Sequence, residues 1–110
     1  MNIQIFGTAK SFDCRKAERY FKERRIRYQY IDVIKYGMSR GELKSVAAVL
    51  GLDAIVNPKD QDYPLYQYLA SDEAKLEKLY EIPEMLLTPI VRNGKKATVG
   101  YCPDIWKDWE

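Results

Sequence analysis

Residues 3–21 constrain the fold more than any other stretch of the chain. The apolar run Ile3-Gln4-Ile5-Phe6 stops at Gly7, and a polar loop, Thr8-Ala9-Lys10, follows. A helix opens at Ser11-Phe12-Asp13-Cys14-Arg15-Lys16-Ala17. Ser11 suits the N-cap, because its hydroxyl can accept from the amide at position 14. That places Cys14 near N3, on the helical face shared with Ala17 and Phe21. The free amides and the positive dipole end of a first helical turn favour a thiolate. Lys10, Arg15 and Lys16 act in the same direction, and Asp13 opposes them. A cysteine on an apolar helical face is also a small buried hydrophobe. The residues alone leave both roles for Cys14 open.

The strand, read over 2–6, and the helix, read over 12–24 with Cys14, Ala17, Tyr20 and Phe21 inward, lead to a second β-prone run, 28–33. Strand, crossover helix and strand within some 30 residues make a βαβ unit with parallel strands. After a loop at 36–38, Ser39-Arg40-Gly41-Glu42 has capping-box spacing, and Leu43, Val46, Ala47 and Leu50 share one helical face. Gly51 marks that helix's end, and 55–58 read as a connector. Pro64 starts a helix expected to bury Leu65, Tyr68 and Leu69; Ser71 caps another with Leu76, Leu79 and Tyr80 inward, ended by Pro83. Asn93-Gly94 between two short β-prone runs predicts a hairpin. Cys102-Pro103 opens a last short helix, with Cys102 at the N-cap and Ile105, Trp106 and Trp109 as its apolar contacts. The expected architecture is one α/β domain over 1–110, with βαβ and ββα parts around a helical insertion at about 38–82 and a mixed four-stranded sheet.

Composition narrows the function classes. Eighteen basic and 16 acidic side chains give a net charge of +2, without the basic tail of a nucleic-acid binder. The run Lys22-Glu23-Arg24-Arg25-Ile26-Arg27 reads as a solvated helix end. Neither a charged leader with a long apolar region nor a membrane-length apolar stretch is visible, and the two cysteines read as thiols in a reducing cytoplasm. There is no histidine, which removes a Cys–His dyad and leaves a soft-metal site short of ligands, so no metal is expected.

Ser11 to Ala17 resemble the arsenate reductase (ArsC)/Spx-like branch of the thioredoxin superfamily, whose regulators carry Cys-x-x-Cys followed by Arg-Lys-Ala. Thr88-Pro89-Ile90-Val91 resembles that family's cis-proline segment. Asn93-Gly94-Lys95 with Val99-Gly100 resembles its closing hairpin, so the likeness spans nearly the whole chain. It implies a thioredoxin-like fold, a cis Thr88–Pro89 bond, and a site built from Cys14, Ser11 in the position of the usual nucleophile, and Cys102 as a resolving thiol. The alternative for Cys14 and Cys102 is two independent thiols. Lys10, Thr88, Pro89, Arg92 and Tyr101 are the implied substrate contacts. Where arsenate-reducing members hold their oxyanion with arginines, this chain has Asn57, Thr88 and Tyr101, with Lys59 and Arg92 nearby in sequence. Uncharged side chains cannot supply guanidinium forks, so arsenate reduction is not expected. A glutaredoxin-like thiol–disulfide oxidoreductase is the leading expectation, with no bound cofactor, glutathione or another thiol as reductant, and a thiol or disulfide, small or protein, as partner. The alternatives are a non-enzymatic redox-sensing regulator or adaptor, or a catalytically inactive member. Spx-like regulators bind RNA polymerase rather than DNA, so a protein partner belongs to the regulatory reading. Direct nucleic-acid or membrane binding belongs to none.

Overall fold

The computed structural model describes residues 1–109. Alternation along the first strand sorts its side chains onto two faces. Ile3 and Ile5 of β1 (Ile3–Gly7) enter one apolar cluster with Ala17, Tyr20, Phe21, Val91 and Trp106, while Phe6 enters the other. Helix α1 (Phe12–Glu23) buries Cys14, Ala17, Tyr20 and Phe21, as its spacing requires. Ser11 is its N-cap, with Oγ accepting from the Cys14 amide at 3.3 Å. Strand β2 (Tyr28–Asp32) pairs in parallel with β1, from Ile3 opposite Tyr28 to Gly7 opposite Asp32.

The C-terminal strands complete the sheet. β3 (Ile90–Asn93) runs antiparallel to β1, and β4 (Lys96–Val99) antiparallel to β3, giving the order β2-β1-β3-β4. This is the expected mixed four-stranded sheet. The hairpin turn is one residue later than expected. Asn93 pairs with Lys96, so the two-residue loop is Gly94-Lys95. Gly94 has φ 61° and Lys95 does not share a positive φ, the pattern of a type II′ turn, which wants glycine first.

Helices fill the stretch between β2 and β3. Residue 33 leaves the expected strand because the Asp32 carboxylate accepts from the amides of Ile34 and Lys35, opening a short α2 (Val33–Tyr36). Ser39 and Glu42 form the capping box of α3 (Arg40–Leu50), which buries Leu43 and Val46. The expected connector begins as a helical turn, α4 (Leu52–Ile55). Of the side chains expected inward from α5 (Tyr63–Gln67), only Leu69, just beyond its end, packs against the Phe6 cluster. Tyr66 is buried and stacks with Tyr63 at 6.1 Å between ring centroids, whereas Leu65 and Tyr68 are 63% and 87% exposed. Ser71 caps α6 (Asp72–Glu81), which buries Leu79 and carries Leu76 and Tyr80 against the same cluster. Met38, Ile55, Met85 and Ile90 close that cluster beneath Phe6. At the C-terminus α7 (Pro103–Trp106) buries Trp106, with Trp109 packed against the same cluster; Ile105, expected inward, is 49% exposed. Trp106 is held by its indole N–H donating to Thr98 Oγ1 at 2.8 Å. No helix among the described residues is long and apolar enough to cross a membrane.

Candidate functional site

Cys14 lies at the junction of β1 and α1, where the loop is tied down by local hydrogen bonds. The Ser11 amide donates to Thr8 O at 3.2 Å, and the Lys10 amide to Thr8 Oγ1 at 3.2 Å. The Thr8 amide donates to Cys14 Sγ at 3.4 Å. This contact fixes the sulfur against the backbone of the loop. The sulfur is enclosed, with Cys14 only 1% exposed. Ser11 is half-buried and its hydroxyl is used as the helix cap.

Gly7 is what lets the sulfur sit so close to the strand. A β-carbon at position 7 would lie 2.7 Å from Cys14 Sγ and 3.1 Å from the Tyr30 hydroxyl. Thiol and phenol therefore meet over the same backbone carbon. Burial first, then the negative charges of Cys14, Glu18 and Asp32, push Tyr30 up to about 12. Gly7 and Tyr30 were not among the residues expected at the site. The alternation of Tyr28 and Tyr30 on β2 would have pointed to the face of α1, since both tyrosines pack on that cluster.

The Thr88–Pro89 bond is cis, as the resemblance implied. Phe6 pairs with Ile90, so the next residues outward, Gly7 and Pro89, bring the cis-proline to the strand end that carries Cys14. Pro89 is buried and its carbonyl accepts from the Gly100 amide at 2.8 Å. Asn57 is drawn alongside this segment: its amide donates to Met85 O at 2.8 Å, and its side chain accepts from the Lys59 amide. Tyr101 is 42% exposed, edge-on to Trp106, with Lys16 Nζ 5.6 Å from its ring centroid. Lys10 and Lys59 are exposed, and Thr88 is half-buried.

Two expected site residues are directed elsewhere. Arg92 pairs with Gln4 on the sheet face opposite α1. Its Nη1 donates to Gln4 Oε1 at 2.7 Å and lies 3.7 Å from Glu42 Oε2 of α3. Strand alternation puts it there, because its neighbour Val91 is the residue facing α1. Cys102 stands at the start of α7, but its sulfur makes no cap; it donates instead to Val99 O at 3.3 Å. Burial pushes its pKa up, the Thr98 contact lowers it and Asp13 raises it again, so the N-cap position does not promote ionisation as expected. Both cysteines are free thiols. Among the described residues no group of three or more His, Cys, Asp or Glu side chains is placed to hold a metal.

A βαβ start, a helix-borne cysteine, a cis-proline before the third strand and a closing hairpin on a β2-β1-β3-β4 sheet define a thioredoxin-like protein. No protein-family model matches the chain. It is 30% identical over 110 residues to "Global transcriptional regulator Spx 2" of Oceanobacillus iheyensis, a match covering 94% of this chain and 80% of that one. The "Global transcriptional regulator Spx" of Staphylococcus aureus is 26% identical over 108 residues, covering 93% and 82%. Among solved structures, an arsenate reductase from Vibrio cholerae superposes with a TM-score of 0.84 at 24% identity, over 98% of this chain and 97% of that one. The solution structure of SACOL0876 from Staphylococcus aureus COL gives 0.79 at 25% identity, over 96% of each. The chain belongs to the family of the Spx regulators, and it shares its thioredoxin-like fold with the arsenate reductase structure.

Proposed function

We propose that this chain is a non-catalytic regulatory module of the Spx type, acting by binding a protein partner rather than by thiol–disulfide exchange. The observation that carries this is the pair Ser11 and Cys14. The outer position of the motif holds a hydroxyl engaged as a helix cap, and the inner position holds a thiol that is 1% exposed. Exchange needs a thiolate that can reach a disulfide, and a serine cannot serve as the exchanging atom. Cys102 does not supply the missing attacker, since its thiol is shifted towards the protonated form. The names of the relatives, global transcriptional regulators, support the regulatory reading. The glutaredoxin-like alternative rests on Cys14 lying at the start of α1 with the Thr8 amide directed at its sulfur.

A single series of variants separates the two. The parent is expected to reduce insulin disulfides no faster than background. Ser11→Cys is expected to form a reversible bond with Cys14 and to gain reductase activity, at a stability cost of about 1 kcal/mol for the weakened cap. Cys14→Ala should bind purified bacterial RNA polymerase, the partner the resemblance implies, as the parent does. Disulfide reduction by the parent that Cys14→Ala abolishes would overturn the proposal in favour of the enzyme.

A further inference from the structure

β4 ends the sheet, so one side of its backbone has no strand beside it. Its pairing parity shows which groups face outward. The two-residue loop makes Asn93 and Lys96 a hydrogen-bonded pair, and the Gly100 amide bonded to Pro89 O marks another. Ala97 and Val99 fall between them at the non-bonded positions opposite Arg92 and Ile90, so their N–H and C=O groups point away from β3. Among the described residues the Val99 carbonyl accepts from the Cys102 thiol.

A groove of about 430 Å³ follows this edge. Five consecutive residues, 95–99, line it, which a strand can do only along its edge, because alternate side chains leave on opposite faces. Val49 and Leu50 from the end of α3 form one wall, and Ile105 and Trp109 the other. Val49 is 52% and Ile105 49% exposed, so apolar surface flanks the free backbone on both sides. Lys95 and Lys96 stand at the turn end, exposed and without an ion pair among the described residues.

The geometry points to a docking edge for an extended segment of a partner protein, apolar in its middle and acidic at the end beside Lys95 and Lys96. Its backbone pairs with the N–H and C=O of Ala97 and the N–H of Val99, its apolar side chains lie against the two walls, and its carboxylates meet the lysines. A second copy of this chain is the wrong occupant, because symmetric pairing of β4 is antiparallel and residues 94–99 contain no acidic side chain, so Lys95 and Lys96 of each copy would meet no carboxylate of the other strand. The inference rests on the reading of the chain as a binding module and names where it binds and what it accepts.

The test uses the full chain and a synthetic peptide, acetyl-Glu-Glu-Val-Thr-Val-Ile-Ser-amide. Its controls are the same peptide with lysines for glutamates and one N-methylated at alternate backbone nitrogens. At saturation the acidic peptide is expected to slow amide hydrogen exchange at Ala97 and Val99 by at least about tenfold. Alkylation of Cys102 should slow in parallel, and neither control should do this. Lys95→Glu/Lys96→Glu should reverse the preference towards the lysine peptide. Ala97→Pro, which removes only an outward N–H, should abolish binding. Equal binding of all three peptides, protection elsewhere on the chain, or Ala97 protection that rises with protein concentration alone would each overturn the inference. Those results would leave the non-catalytic reading standing, which falls only to disulfide reduction by Cys14.

Discussion

At the scale of single residues, the Cys14 sulfur takes up the space that a side chain at position 7 would fill. Gly7 is buried and its φ is ordinary, so glycine is required there by contact and not by backbone conformation. The nearest atoms to a new methyl would be Cys14 Sγ at 2.7 Å, the Tyr30 hydroxyl at 3.1 Å and Cys14 Cβ at 3.2 Å. None of the three belongs to the far end of a long flexible chain except the phenol. Gly7→Ala is therefore expected to destabilise the fold by about 1–3 kcal/mol, the usual cost of overpacking a core. Adding Cys14→Ala should restore part of that loss, since it removes the closest atom but leaves Cβ in place. Urea midpoints of the single and double variants measure the coupling; additive losses would show that the sulfur is not the obstacle.

At the scale of elements, Glu42 joins α3 to the sheet. One carboxylate oxygen accepts from the Ser39 amide at 3.0 Å and closes the capping box. The other accepts from Gln4 Nε2 at 3.3 Å and stands 3.7 Å from Arg92 Nη1. The same side chain thus caps the helix and answers a cation on β3 that is only 17% exposed at its side chain. Glu42→Ala should cost about 2 kcal/mol, a lost cap together with a half-buried guanidinium left short of an acceptor. Glu42→Gln keeps the cap acceptor and removes only the charge, so its cost should stay below about 1 kcal/mol. Equal losses in thermal denaturation for the two variants would place the whole effect in the charge. Element interiors were legible where pattern and cap agreed, as in α1 and α3. In α5 two faces of tyrosines and leucine shared one spacing, and tertiary packing, which seats Tyr66 in the cluster with Lys75 Nζ of α6 5.5 Å from its ring centroid, not periodicity, chose Tyr66 over Tyr68.

At the scale of the whole molecule, two tyrosines on opposite sides of the sheet set an alkaline limit. Burial is the largest cause in both cases, and each is pushed from 10.0 up to about 12, Tyr30 beside Cys14 and Tyr66 beneath α6. The folded state holds these protons after the unfolded chain has released them, so the stability they contribute is complete below pH 10 and is lost as pH rises towards 12. Urea unfolding followed at stepped pH should show a falling midpoint over that window, with tyrosinate absorbance appearing as the fold is lost. Tyr66→Phe should flatten the decline, and at neutral pH it should cost little, because the buried Tyr66 hydroxyl has no hydrogen-bond partner among the described residues to lose. A midpoint independent of pH from 10 to 12 would contradict both assignments.

What the sequence by itself determined was local. The Ser11 and Ser39 caps, the inward face of α1, the alternation that splits Ile3 and Ile5 from Phe6, and the hairpin all depend on residues a few positions apart, and their hydrogen bonds close within a turn. The cis Thr88–Pro89 bond was legible only through resemblance, because the residues around it do not impose it. The tertiary structure alone decided what met what across the chain. It put Arg92 on Gln4 and Glu42 instead of beside Cys14, gave the Cys102 thiol to the Val99 carbonyl, and brought Tyr30 over Gly7. The physical reason is that periodicity states which side of an element is apolar but carries no record of the partner. Arg92 and Gln4 lie 88 residues apart in the chain, and only the antiparallel register of β1 and β3 makes them neighbours.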